Sequence, residues 1–237
     1  MTEPGARYDV LVFGAHPDDC EMGMAGTIAL LVAAGKRVLL VALTGSDMST
    51  HGRPEERARE FREAARVLGC DARQLDLPDT RVANHDENRR HVAGLVREHR
   101  PAIVFAPYHT NEAGHHDGRA NVDHMETGRL VRDALKLARL GRVMPETAPH
   151  DVTRIYYYMV PAAMAPSFIV DVSSVEEKLR AAIGAYASQM AIRRGGSSIL
   201  EVLELLRRHT GLQIGARLGE AFLVDQPLQA RVEDLFP

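Results

Sequence analysis

The chain has no tryptophan, only two cysteines in 237 residues, and an aromatic content of just 5%. Two cysteines, Cys20 and Cys70, do not build a disulfide framework, so the fold must rest on an apolar core. Both are read as buried thiols, with metal ligation by Cys20 as the alternative. No apolar run reaches the roughly 18 residues that a membrane helix needs, and no signal peptide is read. A cytoplasmic protein with no membrane partner is therefore expected. Charge of one sign is also scarce: 29 basic against 32 acidic residues leave a formal −3, which gives no footing for nucleic acid. Linkers rich in Pro, Gly or Ser, low-complexity tracts and internal repeats are missing too. What is present is an ordinary globular composition, 45% hydrophobic and 26% charged, together with 11 histidines that are unevenly spread.

Strand and helix patterns alternate through the first two thirds. Val10–Phe13 is a short apolar run bounded by Gly14, hence a buried strand, and Met24–Ala34 has helical spacing with Gly35 as its C-cap. Arg37–Leu43 is a second strand that opens into a polar loop, Thr44–Arg53. Pro54 suits the first turn of a helix to Leu68, with Glu55 and Glu56 placed where the helix dipole favours them. A strand at Gln74–Leu77 leads to Asp79, a helix spans Asp86–His99, and Ala102–Ala106 is the next strand. Another helix carries Leu130, Val131, Leu135 and Leu137. Further on, Arg154–Val160 and Phe168–Val172 read as strands, and Val175–Ile192 and Ile199–Arg208 as helices around Gly195-Gly196.

This alternation predicts an α/β fold: a Rossmann-like, doubly wound, mostly parallel sheet with helices on both faces. Residues 1–237 are expected to form a single domain. In it, 1–145 carry the site and 146–237 add strands and helices. The loops after successive strands should converge on one sheet edge, where open α/β sheets bind ligands.

Two polar clusters fall on such loops. His16-Pro17-Asp18-Asp19 follows the first strand, and Pro17 stiffens the turn. An imidazole and a carboxylate are good ligands for a divalent ion. With Asp19 as ligand, Asp18 is left beside it to accept a proton from an attacking water. The plainer alternative is a helix cap at Asp18 or Asp19 and a solvated His16. The loop after Pro107 carries His109, His115, His116, Asp117, Asp123 and His124, too many polar groups for core packing. His85, His91, His99, His150 and His209 are read as solvated.

His16-Pro17-Asp18-Asp19 after a strand, with Asp123-His124 opening a later helix, resembles the PIG-L (LmbE-like) family of zinc-dependent de-N-acetylases. Arg53-Pro54-Glu55-Glu56, Leu77-Pro78-Asp79, Ile155–Met159 and Ala185–Gln189 extend the resemblance, most closely to the bacillithiol-biosynthesis deacetylase branch. The resemblance implies that His16, Asp19 and His124 bind one Zn2+ per chain, with Fe2+ as another possible metal. It makes Asp18 the general base and Arg53 the partner of an anionic group such as a malate carboxylate. It also implies a small amino-sugar conjugate as substrate, and a homo-oligomer such as a hexamer. In one place the chain departs from the family. The usual His-x-Asp-His motif reads Asn121-Val122-Asp123-His124, and an amide cannot protonate a leaving amine. His116, chosen over His115 in the glycine-flanked segment before it, is assigned as the acid, with Asn121 binding the oxyanion.

The expected function is hydrolysis of an N-acetylglucosamine conjugate to acetate and free amine. A metal-binding pseudoenzyme lacking the proton donor is the first alternative. A nucleotide-binding oxidoreductase ranks below it, because Gly23-x-x-Gly26 is too short for the dinucleotide fingerprint.

Overall fold

The structure is a computed structural model that describes residues 5–110, 121–161 and 164–228. Val10–Gly14 (β1), Val38–Thr44 (β2), Asp71–Leu77 (β3), Ile103–Pro107 (β4) and Arg154–Tyr158 (β5) form one parallel sheet in the order β3-β2-β1-β4-β5. β1 and β2 are buried along their whole length. That is why they read as unbroken apolar runs and not as alternating ones.

Residues on the two faces of these strands supply two cores. Val10, Val12 and Leu40 pack with Met24 and Ile28 of Asp19–Ala33 (α1) and Phe61 of Pro54–Leu68 (α2). Leu11, Phe13 and Val41 pack with Val92 and Val96 of Asp86–His99 (α3) and Leu130 and Val131 of Val122–Ala138 (α4). The order of strands reverses between β1 and β4, so a crevice opens at their carboxyl ends. Both polar clusters leave the sheet there. The predicted α/β class, parallel sheet and single domain are all observed.

The last third departs from expectation in three places. The expected helix Val175–Ile192 stops early: Glu176–Gly184 (α5) is followed by a turn in which Ser188 donates to Glu60 and Gln189 to the His51 carbonyl. Those tertiary partners outweigh helix propensity. Phe168–Asp171 (β6) stays out of the main sheet and pairs antiparallel with Gly219–Phe222 (β9), a strand too short to show a period. Between them, Arg193–Arg194 (β7) and Ser197–Ser198 (β8) make a hairpin, with Gly195 and Gly196 at positive φ in its turn. Ile199–Leu212 (α6) then starts on a capping box of Ser198 and Glu201. A bridge from Tyr157 to Leu223 ties this part to β5.

His99 is also a correction. It is fully buried, its Nδ1 donating to the Ala6 carbonyl at 2.8 Å and its ring meeting the ring of Tyr8 edge-on. It belongs to the core and is not a solvated surface residue.

Candidate metal centre and its cavity

The corner that follows β1 is sterically exacting. A Cβ on Gly14 would lie 2.8 Å from the Cβ of Asp19, so only glycine lets the chain fold back this tightly. Asp19 then accepts the backbone N–H of His16 (2.9 Å), and α1 begins at Asp19, ahead of the Met24 start that its apolar spacing suggests. Asp18 is held at φ 121°, a conformation that costs a non-glycine residue about 1–3 kcal/mol. Arg57 of α2 fixes it there: the guanidinium pairs with Asp18 at 2.9 Å and donates to the Pro17 carbonyl.

His16, Asp19 and His124 present ligand atoms that all lie within 4.8 Å of one another. Asp19 stands between the imidazoles, 3.0 Å from His124 Nε2 and 3.5 Å from His16 Nδ1. The other nitrogen of His16 faces two further carboxylates, Asp79 at 3.1 Å and Asp123 at 3.5 Å. His16, Asp79 and Asp123 are thus a second trio whose ligand atoms lie close enough to share an ion. The oxygens of Asp79 and Asp123, however, already accept backbone N–H groups from Met48, Thr80 and Val82. We therefore read them as orienting His16 from behind, the usual task of carboxylates around a ligating imidazole.

The electrostatics suit a cation. Burial opposes charge on His16, but Asp123 and Asp19 override it and push the imidazole up to about 11. Asp19 is held well below the ordinary carboxylate range, against the effect of burial, by His124 and His16. A site that draws positive charge so strongly, with two imidazoles and a carboxylate as donors, fits a zinc-type ion with a position left open. Burial pushes Asp18 the other way, up to about 7, with Arg57 resisting the rise and Asp19 adding to it.

The centre opens into a cavity of about 1090 Å³. Asn121 lines it and caps α4, its Oδ1 accepting the Asp123 N–H at 2.9 Å. Arg53 does not line it; it stands exposed at the N-cap of α2, one turn before Arg57. His115 and His116 lie outside the described residues. Cys20 is buried, with its thiol toward the Val12 carbonyl, and takes no part in either group of candidate ligands.

Below the centre, α1 is broken at Met24 (φ −152°, ψ 32°). An ion pair from the last third spans the break. Glu220 accepts the N–H groups of Gly26 (3.0 Å) and Thr27 (2.7 Å), while Arg207 pairs with Glu220 (2.9 Å) and donates to the Met22 carbonyl (2.8 Å). The carboxylate thus meets the amide end of one helical segment and the guanidinium the carbonyl end of the other, as the helix dipole favours. Sequence reasoning does not single out Arg57 or this pair, and it places Asp79 only at the converging edge. No local motif marks the pair, because its members meet α1 from 194 and 185 positions away.

A family model for PIG-L, described as GlcNAc-PI de-N-acetylase, matches residues 11–135, a span that holds His16, Asp18, Asp19 and His124. The chain belongs to the PIG-L family. A diacetylchitobiose deacetylase from Thermococcus kodakarensis is 27% identical over 226 residues, covering 90% of this chain and 80% of the relative. A 1D-myo-inositol 2-acetamido-2-deoxy-alpha-D-glucopyranoside deacetylase from Catenulispora acidiphila is 27% identical over 195 residues, covering 68% of this chain and 58% of its own length. The crystal structure of a conserved protein from Thermus thermophilus matches with a TM-score of 0.84 at 34% identity, over 95% of this chain and 98% of the other. PIG-L membership is therefore carried by sequence, and the fold has a close counterpart among solved structures.

Proposed function

We propose that the protein is a metal-dependent hydrolase that removes the acetyl group from an N-acetylglucosamine conjugate, giving acetate and a free amine. The observation that carries this reading is the convergence of His16, Asp19 and His124 beside a buried, strained Asp18 in a PIG-L chain. The names of the relatives support it, since both are deacetylases of acetamido sugars.

His16, Asp19 and His124 would hold the ion, and Zn2+ is the metal we assign, with Fe2+ the alternative that the same donors accept. A bound ion supplies Lewis acidity at the acetyl carbonyl. Asp18 accepts the proton of the attacking water, and a carboxyl near 7 is well matched to that task at neutral pH. Arg57 orients Asp18, and Asp79 and Asp123 orient His16. Asn121 is assigned to the developing oxyanion from its place on the cavity wall. Protonation of the leaving amine is assigned to His116 on sequence alone. Comparing the pH–rate profile of wild type with those of His115→Gln and His116→Gln tests that assignment. Loss of the alkaline limb in His116→Gln alone is expected, and no change in either variant overturns it.

The bacillithiol-type resemblance offers malate as one aglycone, with Arg53 meeting its carboxylate. Arg53 is exposed and off the cavity wall, so such a group would have to project past the rim to reach it. A panel of N-acetylglucosamine derivatives, read out by acetate and amine release, tests the whole proposal. Stoichiometric release from at least one conjugate is expected. No release from any of them, by protein with a full complement of metal, would favour the pseudoenzyme.

A further inference from the structure

α6 carries apolar side chains on two adjoining faces, one toward the core and one toward the cavity. Leu200 and Leu203 pack against the core, and Leu203 also reaches the cavity wall. Ile199, Val202 and Leu206 follow helical spacing on the cavity side, and Leu205 beside them is 66% exposed. A helix face that met only solvent would be polar. Met22, Met159 and Val160 also line the cavity, and Met159 is held in left-handed backbone (φ 57°) as the chain leaves β5. These apolar side chains share one cavity with His16, Asp19 and His124. Its volume, about 1090 Å³, lies just above the range of roughly 300–1,000 Å³ that encloses drug-sized ligands. It therefore has room for more than one sugar ring.

Two of the arginines that line the cavity are held by carboxylates. Arg57 is engaged by Asp18 and Arg207 by Glu220. Among the described lining residues the other arginine is Arg194, exposed on the glycine hairpin.

We propose that this cavity is a two-part substrate site: the residues around His16, Asp19 and His124 take the acetamido sugar, and the apolar side chains of α6 take an apolar aglycone, an alkyl or aryl group. The inference rests on the deacetylase reading and gives its conjugate an apolar aglycone in place of the malate that the resemblance offers. Flexible methionines and aliphatic side chains suit such a group, whose burial is driven by area and not by directed bonds.

The test uses the metal-loaded protein and a series of N-acetylglucosamine O-glycosides from methyl to octyl, with the malate glycoside alongside. In wild type, kcat/KM should rise by about threefold to fourfold for each methylene that becomes buried, until the chamber is full. Leu206→Asn, its fold checked by circular dichroism, should flatten that rise. A wild-type series that does not depend on chain length, or a malate glycoside outrunning octyl, would overturn the proposal. If no glycoside releases acetate, the deacetylase reading falls by itself. Calorimetry then tests the chamber alone: a tighter Kd for octyl than for methyl supports it, and equal values reject it.

Discussion

Asp18 is buried, strained at φ 121° and paired with Arg57, a combination that core packing alone does not require. Its substitution by Asn keeps the shape and removes the base. Turnover should fall by about 10²–10⁴-fold while the bound metal persists, which elemental analysis checks. Loss of the metal instead would make Asp18 a ligand. Arg57 gives a second, signed prediction. Burial raises the Asp18 pKa and Arg57 resists the rise, so Arg57→Met should move the acid limb of kcat/KM to higher pH. Activity near pH 7 then drops and is partly recovered in more alkaline buffer; an unshifted limb would mean that Arg57 only braces the loop. His16, Asp18, Asp19 and His124 were legible in the sequence because they occupy two short motifs at strand exits. Arg57 was not, because a helical arginine one turn after Arg53 has no local mark that separates an inward side chain from a solvated one. Asp79 was visible only as a polar residue at the end of β3.

The strands and the helices on the sheet faces follow directly from apolar runs and helical spacing, and β1, β2, α2, α3 and β4 lie within a few residues of their expected bounds. α1 was harder to read. Its first turn carries Asp19 and Glu21 in place of an apolar stripe, and the break at Met24 is held by partners from α6 and β9. Removing one member of that buried pair leaves an unpaired charge, which costs about 3–5 kcal/mol. Glu220→Ala should therefore lower Tm, and it should also weaken metal retention, because the first turn of α1 positions Asp19. Reduced Tm with unchanged metal affinity would confine the pair to a structural role. The β7–β8 hairpin and β9 left no trace in the pattern because elements this short cannot show a period.

At the scale of the whole molecule, the parallel sheet sets β1 beside β4, so the His16 corner and the start of α4 meet across the crevice at the strand reversal. That convergence, with PIG-L membership, is what turns two separate motifs into one site. No described helix is long and apolar enough to cross a membrane. The homo-oligomer implied by the family resemblance is a proposal that light scattering on the purified protein checks, with a single mass of several protomers as the expected result. The central claim, that the three converging side chains hold an ion on which deacetylation depends, is tested most directly by acetate release before and after chelation. Wild-type protein should release acetate from an N-acetylglucosamine conjugate, lose that activity on chelation, and regain it with about one equivalent of Zn2+ per chain, the single-ion stoichiometry of a catalytic site with three protein ligands. His124→Ala should show neither the activity nor its recovery, as it retains no stoichiometric metal. Full acetate release from chelated protein, or from a metal-free His124→Ala variant, would contradict the account.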